Sequence, residues 1–249
     1  MDSVLYEVRE RIAWITLNRP EALNAQNAAM RKRINTLLRI ADDDVEVSAV
    51  IVLGAGERAF STGVDIKEVA HQGLTAADRA DQLPEVRKPL IAAIHGYCLA
   101  AGLELALFCD IRIATPDAQL GMPEPRWSLM GGYGLHHLSR MIPLGEALRM
   151  QLTGDSISAQ RAYEIGLVQR LVAKENLLSE AESIARSIVR NAPMAVQGIK
   201  TVVRSGRQLS VAESEELARP IEDRVYASAD FAEGTRAFAE KRAPNWQGK

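Results

Sequence analysis

Two uninterrupted apolar runs constrain this chain more than anything else in it. Residues 49–56 read AVIVLGAG and residues 89–96 read PLIAAIHG. Such a run, without polar alternation and closed by glycine, suits a strand buried on both faces of its sheet. DIRIATPD at 110–117 reads as another strand, and VLYEV and IAWITLN, within residues 4–18, as two more at the start of a sheet. Helical segments lie between them. One runs from about Asn27 to Ala41, with Met30, Ile34, Leu37, Leu38 and Ala41 on one face, and LELALFC is a second. Strands and helices alternate, so the fold class is α/β. From Leu177 the pattern is purely helical. Leu177, Leu178, Ala181, Ile184, Ala185, Ile188 and Val189 form a stripe, and Pro193 and Pro220 punctuate the helical periods that follow.

A length of 249 residues suits one main domain with an appendage. With 47% hydrophobic and 25% charged residues the chain can bury a real core. A net charge of -2 and a pI of about 6.1 leave no electrostatic footprint for nucleic acid. The first residues lack a basic segment followed by an apolar one, and no stretch reaches about 18 uninterrupted apolar residues, so neither a signal peptide nor a membrane span is expected. Cys98 and Cys109 lack metal-ligand spacing and sit in apolar surroundings, as buried thiols in a reducing compartment would. The cytoplasm is the expected location.

A dinucleotide fingerprint is loosely matched by Gly54, Gly56 and Ala59, with Asp78 near the expected downstream distance. The fingerprint needs its glycines to open a helix, and the turn-rich AFSTG follows instead.

Three stretches can carry chemistry. In AAGLELALFCD, residues 100–110, one glutamate stands in an apolar run, where a carboxylate needs a partner. A strand ending at Gly96 and a helix starting near Ala101 would leave the first helix amides without internal acceptors. Glu104, three residues after Ala101, shares a face with it. Either an acceptor held by the Ala101 N–H lies beside the Glu104 carboxyl, or Glu104 is a structural carboxylate satisfied by helix amides. In RAFSTGVDIKEVA, residues 58–70, Asp65 is the expected N-cap and Glu68 its capping-box partner; free amides near Val64 result, or simply a capped helix. In QLGMPEPRW, residues 119–127, Pro123 and Pro125 flank Glu124 and favour stiff, extended backbone, which suits either a positioned carboxylate or a rigid surface loop. His136 and His137 have no acidic partner nearby in sequence and read as structural or surface residues, the alternative being that they line the pocket.

RAFSTGVDIKE, AAIHGYCLAAGLELALFCDIRIA, GMPEP, LTGDSISAQRAYEIGLV and SADFAEGTRAFAEKRAP, in this order over nearly the whole chain, resemble the successive motifs of the crotonase superfamily, the enoyl-CoA hydratase/isomerase group. The resemblance implies an α/β fold built as a crotonase-like spiral of ββα units over residues 1–195, with a C-terminal helical oligomerisation region over 196–249. It implies a homotrimer or dimer of trimers and an acyl-CoA thioester substrate. By that likeness the Val64 and Ala101 amides form an oxyanion hole, and Glu104 and Glu124 are the acid/base pair of a hydratase. Ala22, Leu23, Asp65, Ile66 and Lys67 then bind the CoA moiety. No metal and no redox cofactor is implied, CoA being part of the substrate. The chain departs from the family pattern beside the expected acyl pocket. Val64 replaces a commonly small residue, Ala101 a frequent glycine and Pro125 a usual aliphatic one. Trp127 is unusual, and the stretch from Glu124 to Leu138 is one residue short. With both glutamates present, the resemblance favours hydration of a 2-enoyl-CoA. Double-bond isomerisation, thioester hydrolysis and carbon–carbon bond chemistry on the same scaffold are the rivals, as is a non-catalytic acyl-CoA-binding protein.

Overall fold

The computed structural model describes residues 2–73 and 83–249. In chain order, the hairpin β1 (Val4–Arg9) and β2 (Ile12–Leu17) is followed by helix α1 (Ala28–Asp43). Units of two strands and a helix come next: β3 (Ala49–Gly54), β4 (Ala59–Ser61) and α2 (Ile66–Gln72), then β5 (Leu90–Ile94), β6 (Tyr97–Leu99) and α3 (Ala101–Phe108). β7 (Ile111–Ala114) and β8 (Gln119–Gly121) lead into a 3-10 turn, Glu124–Trp127, and helices α4 (Tyr133–Met141) and α5 (Leu144–Thr153). β9 (Ile157–Ser158), α6 (Ala159–Glu164) and β10 (Arg170–Leu171) complete the sheets. Four helices follow: α7 (Leu177–Val189), α8 (Pro193–Gly206), α9 (Val211–Tyr226) and α10 (Ala229–Glu240).

Each two-strand unit gives one strand to each of two sheets. The larger sheet has the order β1-β2-β3-β5-β7-β10, parallel except for the β1/β2 hairpin. The smaller has the order β4-β6-β8-β9, parallel except for β9. The apolar runs are buried on both faces, as their composition requires. Val50 and Val52 pack in the main core with Leu37 and Leu38 of α1. Ile51 points the other way, into a second cluster with Leu177, Ala181 and Ala185 of α7. Each such buried aliphatic side chain contributes about 1.5–3 kcal/mol relative to exposure.

The N-terminus of α1 has two acceptors, and one of them corrects the sequence expectation. The Asn27 side chain accepts from the Met30 amide at 2.9 Å. Glu68, expected to complete a capping box on its own helix, instead accepts from the Ala28 amide at 2.8 Å. Asp65 still caps α2, accepting from the Lys67 amide. Glu68 thereby ties α2 to the start of α1, and with it the 19–27 loop to the 62–68 loop.

Other expectations also change. The helical stripe after Leu177 is narrower than read, for Leu178 is 45% exposed. Pro220 lies inside α9 rather than between helices. The dinucleotide fingerprint fails because Gly54 and Gly56 lead to strand β4, not to a helix; Asp78 falls outside the described residues. The strands of the smaller sheet, which the expected ββα units allow for, left no local pattern of their own. Strands of two or three residues are too short to show a periodicity.

Candidate active site

The smaller sheet sets out the site. β4, β6 and β8 are parallel neighbours, with Ser61 beside Cys98, Cys98 beside Leu120 and Leu99 beside Gly121. Their C-terminal ends therefore lie side by side, the usual place for a ligand on parallel strands. Val64 follows the end of β4, Ala101 the end of β6 and Glu124 the end of β8.

Gly63 makes the first two meet. Its φ is +92°, and a Cβ there would lie 2.5 Å from the Ala100 Cβ and 3.0 Å from the Ala101 nitrogen. Any side chain would push the turn away from the helix start. Ala100 itself is held at φ +51°, ψ −130°, a conformation that costs a non-glycine residue on the order of 1–3 kcal/mol. Its amide donates to the Gly121 carbonyl at 2.9 Å, which fixes the strained residue to β8. Among the described residues, neither the Val64 nor the Ala101 amide has an acceptor. Two free N–H groups on adjoining chains, one at a helix N-terminus, can hold an oxygen that gains negative charge.

Buried polar side chains hold this turn in place, and no local pattern marks them. The Ser61 hydroxyl donates to the Asn24 carbonyl at 2.8 Å and accepts from the Gly63 amide and from Gln26 Nε2, each at 3.2 Å. Asn24 bonds the Arg19 amide and the Ala55 and Ala59 carbonyls. The Gln26 amide donates to the Gly63 carbonyl at 2.7 Å, and the Asp65 amide to the Gln26 carbonyl at 3.0 Å. Such contacts join residues far apart in sequence, and no spacing reveals them.

The same bonds bring the other expected residues together. The Thr62 amide donates to the Leu23 carbonyl, which places half-buried Ala22 and Leu23 beside the Asp65 turn. Arg19 Nη1 bonds Asp65 Oδ2 at 3.0 Å and the Ala25 carbonyl at 2.7 Å. Burial raises the Asp65 pKa, but Arg19 and the amides of Glu68 and Lys67 outweigh it and hold the carboxyl below its ordinary value. Ile66 and Lys67 are exposed at the start of α2.

The two glutamates converge. Glu104 Oε1 accepts from the Gly132 amide at 2.6 Å and the Gly134 amide at 3.0 Å. A Cβ placed on Gly131 would lie 3.1 Å from Glu104 Oε1 and 3.6 Å from Glu124 Oε1, so both carboxyls flank this one glycine. The GGYG segment, residues 131–134, was overlooked in the sequence, although three glycines in four residues do signal a close approach of backbone to something. Glu124 opens the 3-10 turn rather than standing on extended backbone, the Pro125 effect being outweighed by the turn that closes at Ser128. Trp127 in that turn is 64% exposed.

Their environments differ. Burial raises the Glu104 pKa, while the amides of Gly134, Gly132 and Tyr133 and the charge of His136 oppose the rise. Burial, with a smaller push from Glu104, lifts Glu124 to about 7, and its buried Oε2 has no partner among the described residues. The amides around Glu104 favour its charged form, and the unpartnered oxygen of Glu124 has no such support. His137 stacks on Tyr133 at 3.8 Å, which fits the structural reading; His136 is exposed but near enough for its charge to act on Glu104. Cys98 and Cys109 are buried and free. Among the described residues no group of His, Cys, Asp and Glu could hold a metal ion, and no helix is long and apolar enough to cross a membrane.

Known proteins resemble this chain over its length. Residues 7–249 match the family described as Enoyl-CoA hydratase/isomerase. A probable enoyl-CoA hydratase of Mycobacterium bovis is 36% identical over 252 residues, covering 98% of each chain. A 2,3-dehydroadipyl-CoA hydratase of Escherichia coli is 34% identical over the full length of both. The crystal structure of an enoyl-CoA hydratase/isomerase from Mycobacterium paratuberculosis superposes with a TM-score of 0.93 at 37% identity, covering 100% of this chain and 99% of that one. The chain belongs to the enoyl-CoA hydratase/isomerase family and has the crotonase fold.

Proposed function

We propose that this protein hydrates 2-enoyl-CoA thioesters to 3-hydroxyacyl-CoA. The observation that carries the reading is the pair of carboxyls converging on Gly131, one held by two amides and one without a partner on its buried oxygen. The thioester oxygen sits between the Val64 and Ala101 amides. Glu104, ionised, takes a proton from a water whose oxygen bonds to the β-carbon. The alkene electrons move onto the thioester oxygen as an enolate, which the two amides stabilise. Glu124, protonated near neutral pH, then gives its proton to the α-carbon as the enolate collapses. The sum is addition of one water across the double bond, and passage of the proton from Glu104 to Glu124 restores the pair.

Magnitudes give both devices a part. Loss of one oxyanion donor costs about 3–4 kcal/mol, and a positioned acid or base contributes about 10²–10⁴-fold. The stretch formed by Ala22, Leu23, Asp65, Ile66 and Lys67 would receive the CoA moiety, with Arg19 holding Asp65 in place. The exposed apolar residues of the last helices, among them Val203, Val211, Tyr226 and Phe238, would be covered by neighbouring subunits of a trimer or a dimer of trimers.

Incubation with crotonyl-CoA tests the activity. Loss of conjugated-thioester absorbance, with 3-hydroxybutyryl-CoA as product, is expected. No loss with crotonyl-CoA, but migration of the double bond in a 3-enoyl-CoA, would assign the site to isomerisation instead. Sedimentation as a monomer would refute the assembly.

A further inference from the structure

The cradle of Glu104 is itself tied to the C-terminal helices through one side chain. Tyr133 lies between Gly132 and Gly134, whose amides hold the Glu104 carboxyl. The Tyr133 ring stacks on His137 at 3.8 Å and meets Phe108 edge-on at 5.8 Å. Its hydroxyl accepts from Arg204 Nη2 at 2.9 Å. Arg204 belongs to α8, 71 residues further along the chain. Its other terminal nitrogen, Nη1, donates to Asp110 Oδ1 and to the Phe108 carbonyl, each at 3.0 Å, and its guanidinium lies over the Phe108 ring. Asp110 is fixed in turn by the Leu90 amide at 2.8 Å and by Lys200 at 2.7 Å.

We propose that Tyr133 and Arg204 are positioning residues for Glu104: the planar guanidinium fixes the tyrosine, and the tyrosine fixes the two amides that aim the carboxylate. This rests on the hydratase reading for its kinetic consequence only. A guanidinium can bond Asp110 and Tyr133 at once because its nitrogens form a rigid fork. Three glycines in residues 131–134 give the segment great backbone freedom, so without an anchor it would not hold two amides on one oxygen. The single bulky residue within it is the only side chain available for that anchor. By this route α8, which begins at Pro193 and so straddles the boundary expected at 195/196, takes part in its own subunit's active site.

Tyr133→Phe keeps the ring packing and removes only the hydroxyl. Arg204→Met keeps the aliphatic stem and leaves Asp110 paired with Lys200. In each variant, hydrogen–deuterium exchange in the peptide spanning residues 129–135 should quicken roughly five- to tenfold, the cost of about one hydrogen bond. With crotonyl-CoA, kcat should fall about 10-fold with KM held within about twofold, short of the ~100-fold that a misplacement of ~1 Å can cost. In a Glu104→Gln background neither substitution should lower the residual rate further, since the group they aim is gone. Partial unfolding would lower the rate equally in both backgrounds. Unchanged exchange, or a rate loss that persists in full in the Glu104→Gln background, would overturn the proposal. If the wild-type protein fails to hydrate crotonyl-CoA, the hydratase reading falls and the exchange data alone judge the positioning role.

Discussion

The two sheets divide the labour of this molecule. In the larger one, β1, β2 and β3 are six residues each and β5 is five, and β3 and β5 are apolar and buried along their length. In the smaller one the strands have two or three residues, yet the groups that can do chemistry follow directly on their ends. Length explains the difference. A strand buried on both faces supplies burial energy with each residue it adds, so the larger sheet can carry most of the stability. A three-residue strand buries fewer side chains, Phe60 and Leu120 among them, but holds a backbone direction through its ladder bonds. The smaller sheet thus acts as an alignment frame, and it can tolerate a strained Ala100 because the larger sheet supplies the surplus.

Substitutions can break that contrast. The largest effect is expected at the carboxyls. Glu104→Gln and Glu124→Gln should each lower crotonyl-CoA hydration by about 10²–10⁴-fold, while thermal unfolding shows the fold intact. Near wild-type rates in both would remove the acid/base pair from the mechanism.

Next comes a matched pair, one position in each sheet. Gly63→Ala would force the Val64 turn off the start of α3, and hydration should drop about 100-fold. Ile51→Ala, in the larger sheet, should cost about 2–5 kcal/mol of unfolding free energy, with kcat per folded molecule unchanged. A Gly63 variant that lost stability but kept its rate would erase the distinction between the sheets.

The smallest effect concerns pH. The folded pKa of Glu124 is about 7, above the ~4.3 of an unfolded glutamate, so the folded state binds the proton more tightly. That difference favours the fold at low pH, and the advantage is lost as pH rises through about 7. Hydration should decline over the same range as the proton donor ionises. Glu124→Gln should flatten this part of the stability profile, a gain at pH 8 on the order of 1 kcal/mol once solvent screening is allowed for. A profile of wild-type unfolding that is level between pH 5 and about 8 would show that Glu124 titrates normally.

Much of the molecule could be read before its structure was known. The buried strands, the apolar face of α1 and its start near Asn27 follow from local patterns. Glu104 stood out because a carboxylate in an apolar helix needs a partner, and its partners are the amides of Gly132 and Gly134. Glu124 was noticed for its flanking prolines, though the backbone there turns rather than extends. Order along the chain also exposed the family, since several motifs in register do not arise from composition alone.

The amino-acid sequence alone determined which segments must be buried, where the first helix begins and which carboxylates needed explaining, because those properties depend on residues within a few positions of one another. Only the tertiary structure decided that Glu68 serves another helix, that Gly63 lies against Ala100, and that Arg204 reaches Tyr133 across 71 positions. These contacts come from how β4 and β6 lie side by side, how the start of α2 meets α1 and how α8 returns to Asp110 and Tyr133. A hydrogen bond is selected by distance in space, and separation along the chain places no mark on either partner.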